Sequence, residues 1–144
     1  MIKRLYNGYF HVLTILNDYS SHAWSFNLKK KSDVINHAQQ FIAYVKNQHN
    51  ASIGTWCFDG GTEFLNNTFK NMLADNGILS ETSVPYMHQQ NGHAERLNCM
   101  IMDKVQAMHF CACLMDTMWE YSWNHSIHVY NRTSIKYLKW QTPF

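Results

Sequence analysis

The sequence is poor in charge. Only 15% of its 144 residues are Asp, Glu, Lys or Arg, which is low for a soluble surface. Some apolar surface is therefore expected to lie under a neighbouring domain or chain. No run reaches about 18 apolar residues, so no transmembrane helix and no membrane partner are expected. Residues 1–5 are not followed by an apolar stretch with a small-residue cleavage site, so no secretory signal is expected. The four cysteines, Cys57, Cys99, Cys111 and Cys113, form no C-x-x-C pair, which argues against a structural zinc. Without a signal, reduced thiols and an intracellular setting follow. The thiols are then expected to act as small buried or half-buried hydrophobes. Two prolines, Pro85 and Pro143, fit loops, and repeats and low-complexity linkers are lacking.

What is present suits one folded domain. Apolar residues make up 46% and aromatics 15% of a chain with net charge +2. That is enough to bury a core, and the weak basic bias is compatible with a phosphate partner without demanding one. Residues 9–16 and 22–28 read as strands of a hairpin around Asn17-Asp18-Tyr19-Ser20-Ser21. Ser32 is expected to cap a helix from Asp33, with Val34, Ala38, Phe41, Ile42 and Val45 on one face. Residues 53–58 suit a strand buried on both faces. Asn67 is expected to cap a helix that stops at Asn76-Gly77, and residues 78–83 suggest a short strand. Residues 93–114 and 116–131 read as long helices. The second carries Trp119, Trp123, Ile127 and Tyr130 on one side. This order is α/β.

One pair of acids stands out. Asp59 closes a strand, and Glu95 opens a helix after Gln89-Gln90-Asn91-Gly92, with 35 residues between the two acids. Carboxylates in these places can converge across a sheet end, where hard oxygen donors suit Mg²⁺. Such ions activate a water or a 3′-hydroxyl and stabilise the leaving oxygen of a phosphodiester. The plain alternative is a loop Asp and a helix-start Glu favoured by the helix dipole.

The flanking residues add weight to the first reading. Phe58-Asp59-Gly60-Gly61-Thr62-Glu63-Phe64 resembles the S-D-N-G-G-E-F stretch of retrotransposon integrases. Residues 84–98 closely resemble their A-P-Y-T-P-Q-Q-N-G-V-A-E-R-x-N block. Residues 9–20 are similar to Y-F-L-T-F-I-D-D-Y-S. Trp119, Tyr130-Asn131-Arg132 and Thr142-Pro143-Phe144 resemble the end of the same domain. The resemblance is to the catalytic core of copia-type (pseudoviral) LTR-retrotransposon integrases, cut from Gag-Pol polyproteins, and covers nearly all of residues 1–144. It implies a ribonuclease H-like mixed sheet flanked by helices. It also implies DNA strand transfer with Mg²⁺ or Mn²⁺ held by Asp59 and Glu95 as the second and third catalytic acids. Nucleic-acid contacts are implied at Asn91, Gly92, Arg96 and Lys104, with element ends and target DNA as partners, a possible homodimer, and a nuclear setting for a working enzyme.

The pattern is broken in places. The family's first catalytic Asp lies on a strand before the one matching residues 9–16, in a D-x-x-G-P context. Residues 1–8 contain no Asp, and Asp18 matches a later turn. The chain is therefore expected to lack the first, central strand and to be inactive or severely crippled, with two sheet edges exposed. Cys99 stands where the family often has an Arg four residues after the glutamate. His88 replaces a loop proline, and Gly60 replaces an Asn. Arg132, Lys136, Lys139 and Lys29-Lys30-Lys31 can meet phosphate or be solvated surface charge. His125 and His128 are expected at the surface or in packing, and Glu63 as a helix-entry acid. The Trp119/Trp123 stripe is expected in the core or at a dimer face rather than as a base-stacking platform. Two functions remain: an integrase core fragment, or a non-catalytic module that keeps the fold for nucleic-acid binding or dimerisation.

Overall fold

The computed structural model describes residues 8–58, 66–82 and 92–143. Its elements run β1 (His11–Leu16), β2 (Ala23–Leu28), α1 (Val34–His49), β3 (Thr55–Phe58), α2 (Asn67–Asp75), β4 (Leu79–Thr82), α3 (Gly92–Ala112) and α4 (Trp119–Asn131). Among the described residues the strands form two ladders: β1 with β2, antiparallel, and β3 with β4, parallel. The chain divides into two compact units, one of Met1–Lys29 with His93–Phe144 and one of Lys30–Gly92.

In the first unit, period-2 patterning turns Val12 and Leu16 toward the helices. The hairpin turn closes as expected: Asn17 Oδ1 accepts from the Ser20 amide at 2.8 Å, and the Asn17 amide donates to the His22 carbonyl at 2.9 Å. Leu97, Ile101 and Val105 recur every four residues and form one stripe of α3. They pack with Ala23 and with Trp123, Ile127 and Tyr130 of α4 in one buried cluster. Full burial of each large apolar side chain is worth roughly 1.5–3 kcal/mol. Trp119 stacks on Trp123 with centroids 4.9 Å apart; Trp123 is in the core and Trp119 packs half-buried against it.

In the second unit, α1 buries Val34, Ala38 and Phe41, and α2 buries Phe69, Met72 and Leu73. The Trp56 ring meets Phe41 and Phe69 edge-on at 6.1 Å each, and Phe58 meets Phe69 at 5.7 Å. This edge-to-face geometry is favoured by the ring quadrupoles. Helix α2 ends as Asn76-Gly77 implies. Gly77 (φ +70°) lets its amide reach the Ala74 carbonyl while the Ile78 amide reaches that of Leu73, a Schellman closure.

Several expectations fail on local physics. The strand of residues 53–58 shortens to β3 and is not buried on both faces: Trp56 and Phe58 are buried, whereas Thr55 and Cys57 are exposed. Ser32 caps nothing. Lys31–Asp33 forms a 3-10 turn, and Asp33 Oδ2 accepts from the Lys30 amide at 3.0 Å. Asn66, not Asn67, caps α2, its Oδ1 accepting from the Thr68 amide at 3.0 Å. The last helix opens as a 3-10 turn over Asp116–Met118. All four cysteines are exposed rather than buried, and none is in a disulfide. Among the described residues, no helix is long and apolar enough to cross a membrane.

Candidate metal and nucleic-acid site

Glu95 sits in the first turn of α3 with an exposed side chain. A carboxylate there is favoured by the positive end of the helix dipole. Asp59, the acid expected to pair with it, and Asn91 lie outside the described residues. Gly92 is the first residue of α3. Among the described residues no three His, Cys, Asp or Glu side chains converge as a metal site. The donor chemistry of Glu95 itself, a hard, solvent-facing carboxylate, fits a divalent cation that keeps several waters.

The start of α3 is tied down. His93 Nδ1 lies 3.0 Å from Asp18 Oδ1 in the β1–β2 turn, with both side chains exposed. A contact of this kind contributes only about 0–1 kcal/mol, yet it fixes where α3 begins relative to the hairpin. It also gives Asp18 a role other than that of a missing catalytic acid. The Tyr137 ring lies edge-on to His93 at 6.4 Å, which brings the C-terminal segment to within two residues of Glu95 along the chain.

Helix geometry separates the expected nucleic-acid contacts. At about 100° per residue, Arg96 points a quarter turn from Glu95, and Lys104 lies on the opposite side. Arg96 is exposed and Lys104 half-buried. Asn98, Cys99 and Met102 share the Glu95 side of α3. With Val12, Thr14, Asp103 and Trp123 they line an open groove of about 420 Å³. Cys99, which stands where the resemblance leads one to expect an Arg, brings a thiol to this groove. His125 and His128 are exposed as expected, with His128 Nδ1 3.2 Å from Arg132 Nη1. Glu63 lies outside the described residues.

Sequence reasoning missed the work of Asn131. Its side chain is 6% exposed. Its Oδ1 accepts from the Ala23 amide at 2.9 Å and its Nδ2 donates to the Ala23 carbonyl at 2.8 Å. One amide thus imitates a neighbouring strand and closes the edge of β2 onto α4. His22 extends the contact, its Nε2 3.3 Å from Asn131 Nδ2 and its Nδ1 3.2 Å from the Pro143 carbonyl. The Tyr130-Asn131-Arg132 signal pointed to this position without revealing why an amide is needed.

No family model matches the chain. Over 137 residues, 95% of its length, it is 31% identical to the retrovirus-related Pol polyprotein from transposon TNT 1-94 of Nicotiana tabacum. Over 138 residues, 96% of its length, it is 28% identical to that from transposon RE2 of Arabidopsis thaliana. Over nearly its whole length the chain is thus similar to Pol polyproteins of copia-type transposons, which is consistent with an integrase core. It spans about a tenth of the length of those polyproteins, 10% and 9%. A chain in the cryo-EM structure of the simian T-cell lymphotropic virus intasome in complex with PP2A regulatory subunit B56 gamma superposes with a TM-score of 0.75. It is 15% identical, and the match covers 98% of this chain and 49% of that one. That likeness shows the fold of this chain, which fits a ribonuclease H-like one. Its mixed α/β build, with helices α3 and α4 on the β1–β2 ladder, is that fold in part.

Proposed function

We propose that this integrase core is a DNA-binding segment of a copia-type transposable element whose family reaction is Mg²⁺- or Mn²⁺-dependent strand transfer. The reading is carried by Glu95 on the exposed first turn of α3, within a block that matches the family's glutamate motif. The match of 95% of the chain to a Pol polyprotein supports it. Asp59 and Glu95 would hold the divalent ion. When bound, such an ion lowers the pKa of water and neutralises charge on a phosphodiester in displacement. The residues of this chain orient the DNA: Gly92 gives close backbone approach at the start of α3, and Arg96 offers phosphate a bidentate fork.

The 144 residues contain no match to the family's first catalytic Asp, so the chain by itself is expected to bind DNA without turning it over. Calorimetric titration with Mn²⁺ should show weak binding that Asp59→Asn and Glu95→Gln each abolish. A strand-transfer assay with Mn²⁺ should show no product. Metal binding indifferent to both substitutions would overturn the metal assignment, and turnover abolished by Asp59→Asn would overturn the inactivity. The second reading, a non-catalytic module, is favoured by Cys99 at the position where the family offers a basic side chain. DNA binding unchanged by chelator and by Glu95→Gln supports it.

A further inference from the structure

The segment after α4 folds back on itself in an unusual way. Ile135 and Gln141 form an antiparallel bridge, with the Ile135 amide donating to the Gln141 carbonyl at 3.0 Å. Between them, residues 136–138 make a 3-10 turn. The Gln141 amide then donates to the Leu138 carbonyl at 3.0 Å, closing a tight turn whose two central residues are Lys139 (φ +53°) and Trp140 (φ +65°). Two successive left-handed residues in such a turn call for Asn-Gly. Lysine and tryptophan adopt that conformation only under strain. Strain held in place by surrounding structure is a pointer to function, and the segment is held at both ends. Ile135 packs against the core cluster, and Pro143 is buried with its carbonyl against His22.

The strained turn presents two large rings to solvent. Tyr137 is 71% and Trp140 69% exposed, although burial of either would be favourable. Lys136 and Lys139 flank them, both exposed, and neither has an ion-pair partner among the described residues. Arg132 lies just upstream. The Tyr137 ring touches His93, two residues before Glu95. Aromatic faces interleaved with cations suit single-stranded nucleic acid: each base stacks and each phosphate finds a charge. A duplex hides its base faces and can use only the cations.

We propose that Tyr137 and Trp140, with Lys136 and Lys139, form a stacking platform for the unpaired end of a DNA strand beside the first turn of α3. This rests on the DNA-binding reading above and names the part of the DNA that the chain takes. It is a binding role, independent of metal and of turnover.

The test is fluorescence anisotropy with the full 144-residue chain, in chelator. Two fluorescein-labelled DNAs are compared: a blunt duplex, and the same duplex with a single-stranded overhang. The wild-type chain should prefer the overhang. Tyr137→Leu and Trp140→Leu should each weaken overhang binding at least about fivefold and leave the blunt duplex unchanged. Trp140→Phe should retain most of the preference. Lys136→Gln and Lys139→Gln should weaken both DNAs and flatten the salt dependence. Trp140→Gly, which relieves the left-handed strain, should raise Tm while losing the overhang preference, so that loss of binding is separated from loss of fold. Aromatic variants that bind the overhang like wild type, or that lose both DNAs equally, overturn the platform while leaving DNA binding intact. A wild-type chain that binds neither DNA overturns the platform and the DNA-binding reading together. Equal preference for an RNA overhang supports the stacking and shows that it does not select the sugar.

Discussion

At the scale of single residues, the structure of this chain rests on side chains whose value depends on what they replace. Asn131 substitutes for a strand: both halves of its amide are used on the backbone of Ala23. Asn131→Leu keeps the volume and leaves a buried N–H and C=O without partners. Each such group costs roughly 1–3 kcal/mol. The substitution is therefore expected to lower the urea midpoint by an amount equivalent to several kcal/mol, with the m-value unchanged. Asn131→Asp, which keeps the acceptor and loses the donor, should fall between wild type and Asn131→Leu. A residue-level role of this kind was only half legible. The match of Tyr130-Asn131-Arg132 to the family's closing pattern marked the place, but the need for an amide appears only once β2 lies against α4. The Asp18–His93 contact was illegible for the same reason, since 75 residues separate its members. That Glu95 opens a helix was legible because a helix-start acid is local information. Asp59 was singled out by another stretch, residues 58–64, most of which lies outside the described residues.

At the scale of elements, the sequence spoke clearly about existence and less clearly about ends. Among the described residues, the strands and helices lie where periodicity and turn residues put them, within a few residues. The errors collect at starts: Asn66 rather than Asn67 caps α2, and Ser32 caps nothing. A cap is decided by which oxygen can reach an amide two or three residues on, and that depends on backbone angles the sequence does not state. Asn66→Ala should accordingly lower stability by about 1 kcal/mol, whereas Asn67→Ala, inside the first turn, should change it by a few tenths at most. Thermal melts of the two variants distinguish the residues; equal losses would show that the capping oxygen was misassigned. The misjudged burial of β3 has another cause. Ile53 to Phe58 is apolar throughout apart from Gly54 and Thr55, which imitates a strand covered on both sides. The parallel ladder with β4, whose four residues are all exposed, leaves one face of β3 uncovered among the described residues.

At the scale of the whole molecule, the division into two units follows from the order of the chain. The second unit is one unbroken stretch, Lys30–Gly92, set between the two parts of the first. Within the first unit the exit and re-entry points lie at opposite ends of the β1–β2 hairpin. Leu28 pairs with His11 at one end, and His93 is fastened to Asp18 at the other. Six paired residues at about 3.4 Å each put them roughly 20 Å apart. A flexible Gly/Ser bridge of about 15 residues has a matching root-mean-square span. Replacing residues 30–92 with such a bridge should leave a helical protein that melts cooperatively, because the Ala23–Leu97–Trp123 cluster draws only on the first unit. A circular dichroism melt without a sigmoidal transition would refute this. If the remainder does fold, Lys30–Gly92 is a cassette, and the domain is modular in the way a host carries an insert. Recombination at the borders of the cassette could then exchange the portion bearing Asp59 among related elements, while the portion bearing Glu95 continued to fold around its own nucleus.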